Sequence, residues 1–159
     1  HKVYGFEEFH DALQDAFYHD GKGKVIFEAT IEGFEIGCAV MGNEELFAGS
    51  VDEIETSADL FDYEGKYEMV NSAIYCPARI DKEMFEAARK MAKQAYRAMN
   101  CKGLTRVDMF VTEDHRLLFN ELNTIPGFTA TSRYPSMMKE AGISFPDLID
   151  RLVDLAMPK

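Results

Sequence analysis

The residues between Leu104 and Asn123 constrain this chain more than any others. Leu104 to Thr112 and Arg116 to Asn123 are two runs of strand length joined by Glu113-Asp114-His115. Alternation along a strand sends Arg106, Asp108 and Phe110 to one face and Val107, Met109 and Val111 to the other. On the second run Glu121 and Asn123 share one face, and Leu118, Asn120 and Leu122 share the opposite one. A two-residue turn at Asp114-His115 pairs Glu113 with Arg116, and the register that follows sets Asp108 opposite Glu121 and Arg106 opposite Asn123.

Two carboxylates facing each other on a sheet repel unless positive charge lies between them. A hard divalent cation is one solution. Asp, Glu and Asn offer oxygen ligands only, which selects magnesium or manganese, ions that keep coordination positions for water and substrate phosphates. Arg106 alongside them could hold a phosphate oxygen or a developing oxyanion. The competing reading is a solvated polar strand face on which one carboxylate simply pairs with Arg106.

The rest of the chain supplies helices and further strands. Phe6, Phe9, Leu13, Ala16 and Phe17 recur at helical spacing, which predicts a helix over 6–19 stopped by Gly21 and Gly23. Val25-Ile26-Phe27 reads as a strand, and Phe34 to Met41 and Leu46 to Ile54 as two more around Gly42-Asn43. Residues 55–68 are polar, dotted with aromatics and without period, a candidate lid. A short strand near Ser72 to Cys76 ends at Pro77. Asp81 then caps a long helix whose apolar stripe is Phe85, Ala88, Ala92, Ala95, Tyr96 and Met99 and whose end is Lys102-Gly103. Residues 123–134 have no period. Ser144 starts a last helix through Leu148, Ile149, Leu152, Val153 and Ala156. The expected class is α+β, a mainly antiparallel sheet with flanking helices.

Charge narrows the partners. The 159 residues carry 28 acids against 17 bases, a net charge of −11, and no basic patch is visible. Nucleic acid and an anionic membrane surface are therefore poor partners, and any bound phosphate must arrive with cations. Cys38, Cys76 and Cys101 are far apart and suggest small hydrophobes in a reducing compartment. No apolar run approaches the roughly 20 residues that span a bilayer and no signal peptide opens the chain, so a cytoplasmic location is expected. His1-Lys2-Val3-Tyr4-Gly5 enters a helix almost at once, as a piece of a longer protein would.

Arg106-Val107-Asp108 together with Asn120-Glu121-Leu122-Asn123-Thr124-Ile125-Pro126-Gly127-Phe128-Thr129 resembles the metal-binding motif of the D-alanine:D-alanine ligases of the ATP-grasp superfamily. The resemblance extends along the chain. Glu28 through Glu35 is similar to the family's adenine-binding hinge, Asp62-Tyr63-Glu64-Gly65-Lys66-Tyr67 to its omega loop, and Ser132-Arg133-Tyr134-Pro135 to its second-substrate site.

The resemblance implies an ATP-grasp C-terminal lobe over 34–159, preceded by the end of the central lobe over 1–33. It implies that Glu28 and the backbone of Ala29, Thr30 and Ile31 hold the adenine, that Glu35 binds the ribose, and that Phe110 and Asn120 complete the ATP site. Asp108, Glu121 and Asn123 would carry two magnesium or manganese ions. Arg106 and the Gly127 backbone N–H would stabilise the oxyanion of the tetrahedral intermediate, and Lys66 and Tyr67 would close over an acyl phosphate that water must not reach. Ser132 would bind the carboxylate of the second substrate.

Arg133 departs from the ligases that make D-Ala-D-Ala, which usually have an apolar residue there. It matches the ligases of vancomycin-resistance clusters, and Lys66-Tyr67 favours D-serine over D-lactate; a surface salt-bridge partner is the other reading of Arg133. The implied reaction phosphorylates D-alanine with ATP and passes the D-alanyl group to D-serine or a second D-alanine, a step in peptidoglycan-precursor synthesis and so in cell-wall biogenesis and cell shape. The implied full-length enzyme is a homodimer. The family's phosphate loop and N-terminal lobe are not in this sequence, so the chain alone is expected to be inactive. Another ATP-grasp carboxylate-amine ligase and a non-catalytic nucleotide- or metal-binding module are the competing functions.

Overall fold

The computed structural model describes residues 1–20, 23–56 and 72–157. The chain divides into two compact units, His1–Ile31 and Glu32–Lys159. In the first, α1 (Phe6–His19) has the length its periodicity predicts, starts at Gly5 without a side-chain cap and buries none of its residues. Phe9 stacks on Phe6 and on Phe27 at ring-centroid distances of 6.0 and 5.2 Å. The strand expected at Val25-Ile26-Phe27 is absent: 23–32 has no regular structure, and Ile26 and Phe27 are exposed. Their β-propensity is real, but a strand exists only through its ladder, and no strand pairs with this segment among the described residues.

The second unit is built on a five-stranded sheet in the order β3-β2-β1-β4-β5. Its strands are β1 (Gly33–Gly42), β2 (Leu46–Thr56), β3 (Ser72–Tyr75), β4 (Gly103–Thr112) and β5 (Leu117–Asn123), and every neighbouring pair is antiparallel. One face is covered by α2 (Lys82–Ala98), the other by α3 (Arg133–Glu140) and α4 (Phe145–Ala156). Alternation along β1 divides the two cores: Ile36, Cys38 and Val40 meet Ala88, Ala92 and Tyr96 of α2, while Ala39 and Met41 meet Tyr134, Met137, Met138 and Leu148. A bulge in β2 opposite Ala39 lets Ala48 and Val51, three residues apart, face the same core. The class is α+β with flanking helices, as the pattern predicts.

The helix ends show where local chemistry is legible. Asp81 and Ser144 cap α2 and α4 as expected, accepting from the backbone N–H groups of Met84 and Asp147. Met99, placed on the apolar stripe of α2, is instead 66% exposed. The helix stops there because Asn100 takes φ 52°, a left-handed cap that asparagine tolerates, so the end comes before Lys102-Gly103. On α4 the buried stripe is Leu148, Leu152 and Leu155, and Ile149 and Val153 face solvent. Helix α3 is not predicted by the sequence pattern: its Pro135 lies in the first turn, where the missing N–H costs little, and its eight residues are too few for a period to register.

The β4–β5 hairpin reaches its register by a different route from the one expected. Its turn has three residues, Glu113, Asp114 and His115, with Thr112 paired to Arg116 and His115 at φ 57°. That alone displaces the ladder by one residue, and Val111 pairs with Leu117 and Phe110 with Leu118. Asn120 then bulges out of β5 and restores the register, so Asp108 does face Glu121 and Arg106 does face Asn123. The bulge also separates side chains expected together: Leu118 shares the Phe110 face, while Leu117 and Leu122 both pack on the α2 core.

Candidate functional site

One row of paired residues crosses four strands on the α3 face: Asp52 of β2, Gly37 of β1, Asp108 of β4 and Glu121 of β5. The adjoining pairs put Glu35 beside Phe110, and Arg106 between Ala39 and Asn123. Carboxylates thus gather on the middle of a sheet face, where Asp52 and Asp108 are each 1% exposed. Buried carboxylates need partners, and two arginines meet that need.

Arg106 donates from Nε to both oxygens of Asp108, at 2.8 and 3.1 Å, and from a terminal nitrogen at 2.7 Å. Arg133, the first residue of α3, reaches down onto the same row. It grips Asp52 bidentately, both bonds 2.8 Å, donates to Glu35 at 3.4 Å, and lies 3.5 Å from Asp108. Burial works against its charge, but Asp52, Asp108 and Glu35 outweigh that effect and hold the guanidinium well above its ordinary pKa. Arg133 is therefore a buried hub, not a surface salt-bridge partner.

Two glycines make room for that hub. A Cβ on Gly37 would strike the Arg133 guanidinium and lie 2.6 Å from Asp52 and 3.0 Å from Asp108, so the side chain lies against bare backbone. A Cβ on Gly49 would come within 3.2 Å of the Met137 carbonyl oxygen, so α3 sits close on β2. Tyr134 fastens the helix by donating to the Val40 carbonyl at 3.0 Å.

The loop between β5 and α3 brings Gly127 and Ser132 together, since a Cβ on Gly127 would be 3.2 Å from Ser132 Oγ. The Ser132 hydroxyl oxygen accepts from the Thr129 backbone N–H at 3.0 Å and lies 2.8 Å from Thr129 Oγ1. Phe110 and Asn123 are half-buried on strands, and Asn120 is half-buried at the bulge. Glu28, Ala29 and Thr30 are exposed and Ile31 half-buried in the irregular stretch of the first unit. Lys66 and Tyr67 lie outside the described residues.

Asp108, Glu121 and Asn123 fit a hard divalent cation by their chemistry: two cross-strand carboxylates and an amide, all oxygen donors. Among the described residues no group of three or more His, Cys, Asp and Glu side chains stands together in a way that could hold a metal ion. The cysteines are free, and burial pushes the Cys38 thiol up to about 12 and that of Cys76 up to about 11, which makes both poor nucleophiles. Sequence reasoning missed Asp52. The only local signal is a pair of acids, Asp52-Glu53, between the strand residues Val51 and Ile54, and only the cross-strand register shows that a glycine and then Asp108 follow Asp52 across the sheet.

Among the described residues no helix is long and apolar enough to cross a membrane. The D-alanine–D-alanine ligase of Oceanobacillus iheyensis is 41% identical over all of this chain and 43% of its own length. The vancomycin B-type resistance protein VanB of Enterococcus faecalis is 44% identical over 99% of this chain and 47% of its own length. Among solved structures, the VanG D-Ala:D-Ser ligase from Enterococcus faecalis is 50% identical and superimposes with a TM-score of 0.88 over 98% of this chain and 45% of its own. The chain thus spans less than half the length of these relatives. The family profile described as D-ala D-ala ligase C-terminus matches residues 1–154, and the chain belongs to that family.

Proposed function

We propose that the protein containing this chain is an ATP-dependent D-alanine:D-serine ligase, able also to use a second D-alanine, and that this chain carries the cation and second-substrate half of its active site. The observation that carries the reading is the convergence of Arg106, Asp108 and Arg133 with the exposed Glu121 of the edge strand on one sheet face. The Arg106-Val107-Asp108 and Asn120-Glu121-Leu122-Asn123 motifs, which resemble the ligase motif, are brought into register there by a bulge that pattern alone does not reveal.

The roles follow from the chemistry of each group. Asp108, Glu121 and Asn123 would hold two magnesium or manganese ions, which when bound offset the charge of the ATP phosphates. Glu28, the backbone of Ala29–Ile31, Glu35, Phe110 and Asn120 would hold the nucleotide. Arg106 and the Gly127 N–H would face the oxyanion that develops when the second amine attacks the D-alanyl phosphate. Lys66 and Tyr67 would cover that intermediate against water. Ser132 would take the carboxylate of the incoming amino acid, and Arg133, held by Asp52, would give its subsite a polar, donor-rich wall suited to a serine hydroxyl. A wall built to hydrogen-bond a hydroxyl discriminates against a substrate that lacks one, because its buried donors are then left unpaired. The similarity to a D-Ala:D-Ser ligase supports this choice of second substrate.

The same reading assigns 1–33 to the end of a central lobe and 34–159 to the C-terminal lobe of a cytoplasmic homodimer. It expects no turnover from this chain alone. The test is ATP-dependent phosphate release by the full-length protein given D-alanine and D-serine, with the dipeptide identified by mass spectrometry. Release that requires D-alanine and rises when D-serine is added, with D-Ala-D-Ser among the products, supports the proposal; release indifferent to D-amino acids contradicts it.

A further inference from the structure

Arg133 belongs to the second-substrate side of the proposed site, yet two of its three anionic partners belong to the other side. Glu35 is a ribose-binding candidate and Asp108 a cation-binding candidate; only Asp52 has no part in holding nucleotide or metal. The three carboxylates come from three different strands, β1, β2 and β4, and one guanidinium touches all of them at 2.8 to 3.5 Å. It does so nearly out of solvent, with Arg133 at 11% side-chain exposure, Glu35 at 14% and Asp52 and Asp108 at 1%. At such burial Coulomb interactions are only weakly screened, so whatever occupies Glu35 or Asp108 is felt at Arg133.

We infer that Arg133 acts as an internal counterion for the nucleotide half of the site, so that magnesium-nucleotide must draw Glu35 and Asp108 away from it, and that this exchange couples nucleotide binding to the second-substrate subsite. The inference rests on the proposed ligase reading and deepens it. A cation at Asp108 removes one of the guanidinium's anions and adds a repelling charge beside it. Ribose hydroxyls donating to Glu35 occupy the second. Arg133 then keeps only its bidentate hold on Asp52, and its remaining donors face the amino-acid subsite. Coupling is reciprocal, so the occupant of Arg133 must also alter nucleotide affinity. Arg133 is a positioning residue in this sense, since it need not touch the nucleotide to change its binding.

Two substitutions make the sign of the effect diagnostic. Arg133→Met removes a competitor for Glu35 and, with Arg106 still in place, the second of two cations beside Asp108. Asp52→Asn removes the guanidinium's third anion, throws it wholly onto those two carboxylates, and leaves every proposed nucleotide and cation contact in place. Binding of ADP with magnesium to the full-length protein, measured by calorimetry without amino acids, is expected to tighten by about fivefold or more in R133M and to weaken by about fivefold or more in D52N. Thermal unfolding checks that each variant is folded; if R133M is not, D52N alone decides the sign. Unchanged affinity in the folded variants, or weakening in both as general loosening would give, overturns the coupling. Failure of the unsubstituted protein to bind ADP contradicts the ligase reading itself, and the coupling with it; binding that ignores the substitutions removes the coupling alone.

Discussion

Asp52 and Glu53 are adjacent in β2, point to opposite faces of the sheet and each holds an arginine, yet the two pairs are built for different ends. Glu53 takes Arg79 through Nε at 3.1 Å, a terminal nitrogen at 2.5 Å and the backbone N–H at 2.8 Å, and the guanidinium lies 3.7 Å from the centroid of the Tyr75 ring. Arg79 is 49% exposed, and its other anionic neighbour, Glu55, is itself engaged by the Tyr75 hydroxyl at 2.7 Å. Everything in that cluster is satisfied near the β2–β3 edge. Arg133, at 11% exposure, is instead shared among carboxylates of three strands, two of which have candidate ligands of their own. A self-contained ion pair stabilises the fold, whereas a shared, buried one is an arrangement that a ligand can alter.

The contrast breaks first at the hub. Arg133→Met leaves Asp52 buried without the cation that grips it and leaves Asp108 to Arg106 alone, and urea denaturation of the full-length protein is expected to show a loss of about 3–5 kcal/mol. A loss near zero would mean that water reaches these carboxylates. Gly37→Ala sharpens the same point from below. Its new methyl meets the guanidinium from the backbone side, with an expected cost of about 1–3 kcal/mol and a weakened second-substrate KM. An alanine accepted without change in either would show that the guanidinium does not lie on the strand.

The edge pair should respond less, and to pH. The Arg79 guanidinium, bonded to the Glu53 side chain, holds that carboxyl below its ordinary value near 4.5, against the opposing effect of burial. Because the folded value is depressed, the stabilisation is fully present above that ordinary value and is lost as pH falls through the lower folded one. Glu53→Gln is expected to cost about 1–2 kcal/mol at neutral pH, and the difference from the unsubstituted protein should vanish at the acid end. Melting curves from pH 3 to 7 check this, and a difference constant across that range would contradict the assignment. The smallest effect is expected far from both clusters, at Asp81→Ala, which removes the cap of α2 for about 1 kcal/mol.

The elements were legible wherever local chemistry decides them. The amphipathic period of α1, the caps at Asp81 and Ser144, the strands β1 and β2 on either side of Gly42-Asn43 and the alternation of β4 all read directly. Elements decided by tertiary partners did not read. Val25-Ile26-Phe27 has the composition of a strand and no ladder; α3 is an eight-residue helix held by Tyr134, Met137 and Met138 against the sheet. The opposed pair Asp108 and Glu121 was reached through a turn one residue too short, and Asn120 supplied the missing residue as a bulge. Side-chain parity along β5 does not survive that bulge, which is why Leu118 lies on the Phe110 face and not on the face its position in the sequence predicts. Arg133 was visible as a departure within a motif, but Asp52, its strongest partner, lies 81 positions away, a distance no local pattern spans.

In the proposed function Arg133, held by Asp52 on Gly37, sets the second substrate. The most direct test of this role is the product mixture made by the full-length protein from ATP, D-alanine and an equal concentration of D-serine, resolved by mass spectrometry. The unsubstituted protein is expected to make chiefly D-Ala-D-Ser and the folded Arg133→Leu variant to shift about tenfold or more toward D-Ala-D-Ala, the scale of a lost hydrogen-bonding contact to a substrate hydroxyl. An unchanged ratio of the two dipeptides would contradict it.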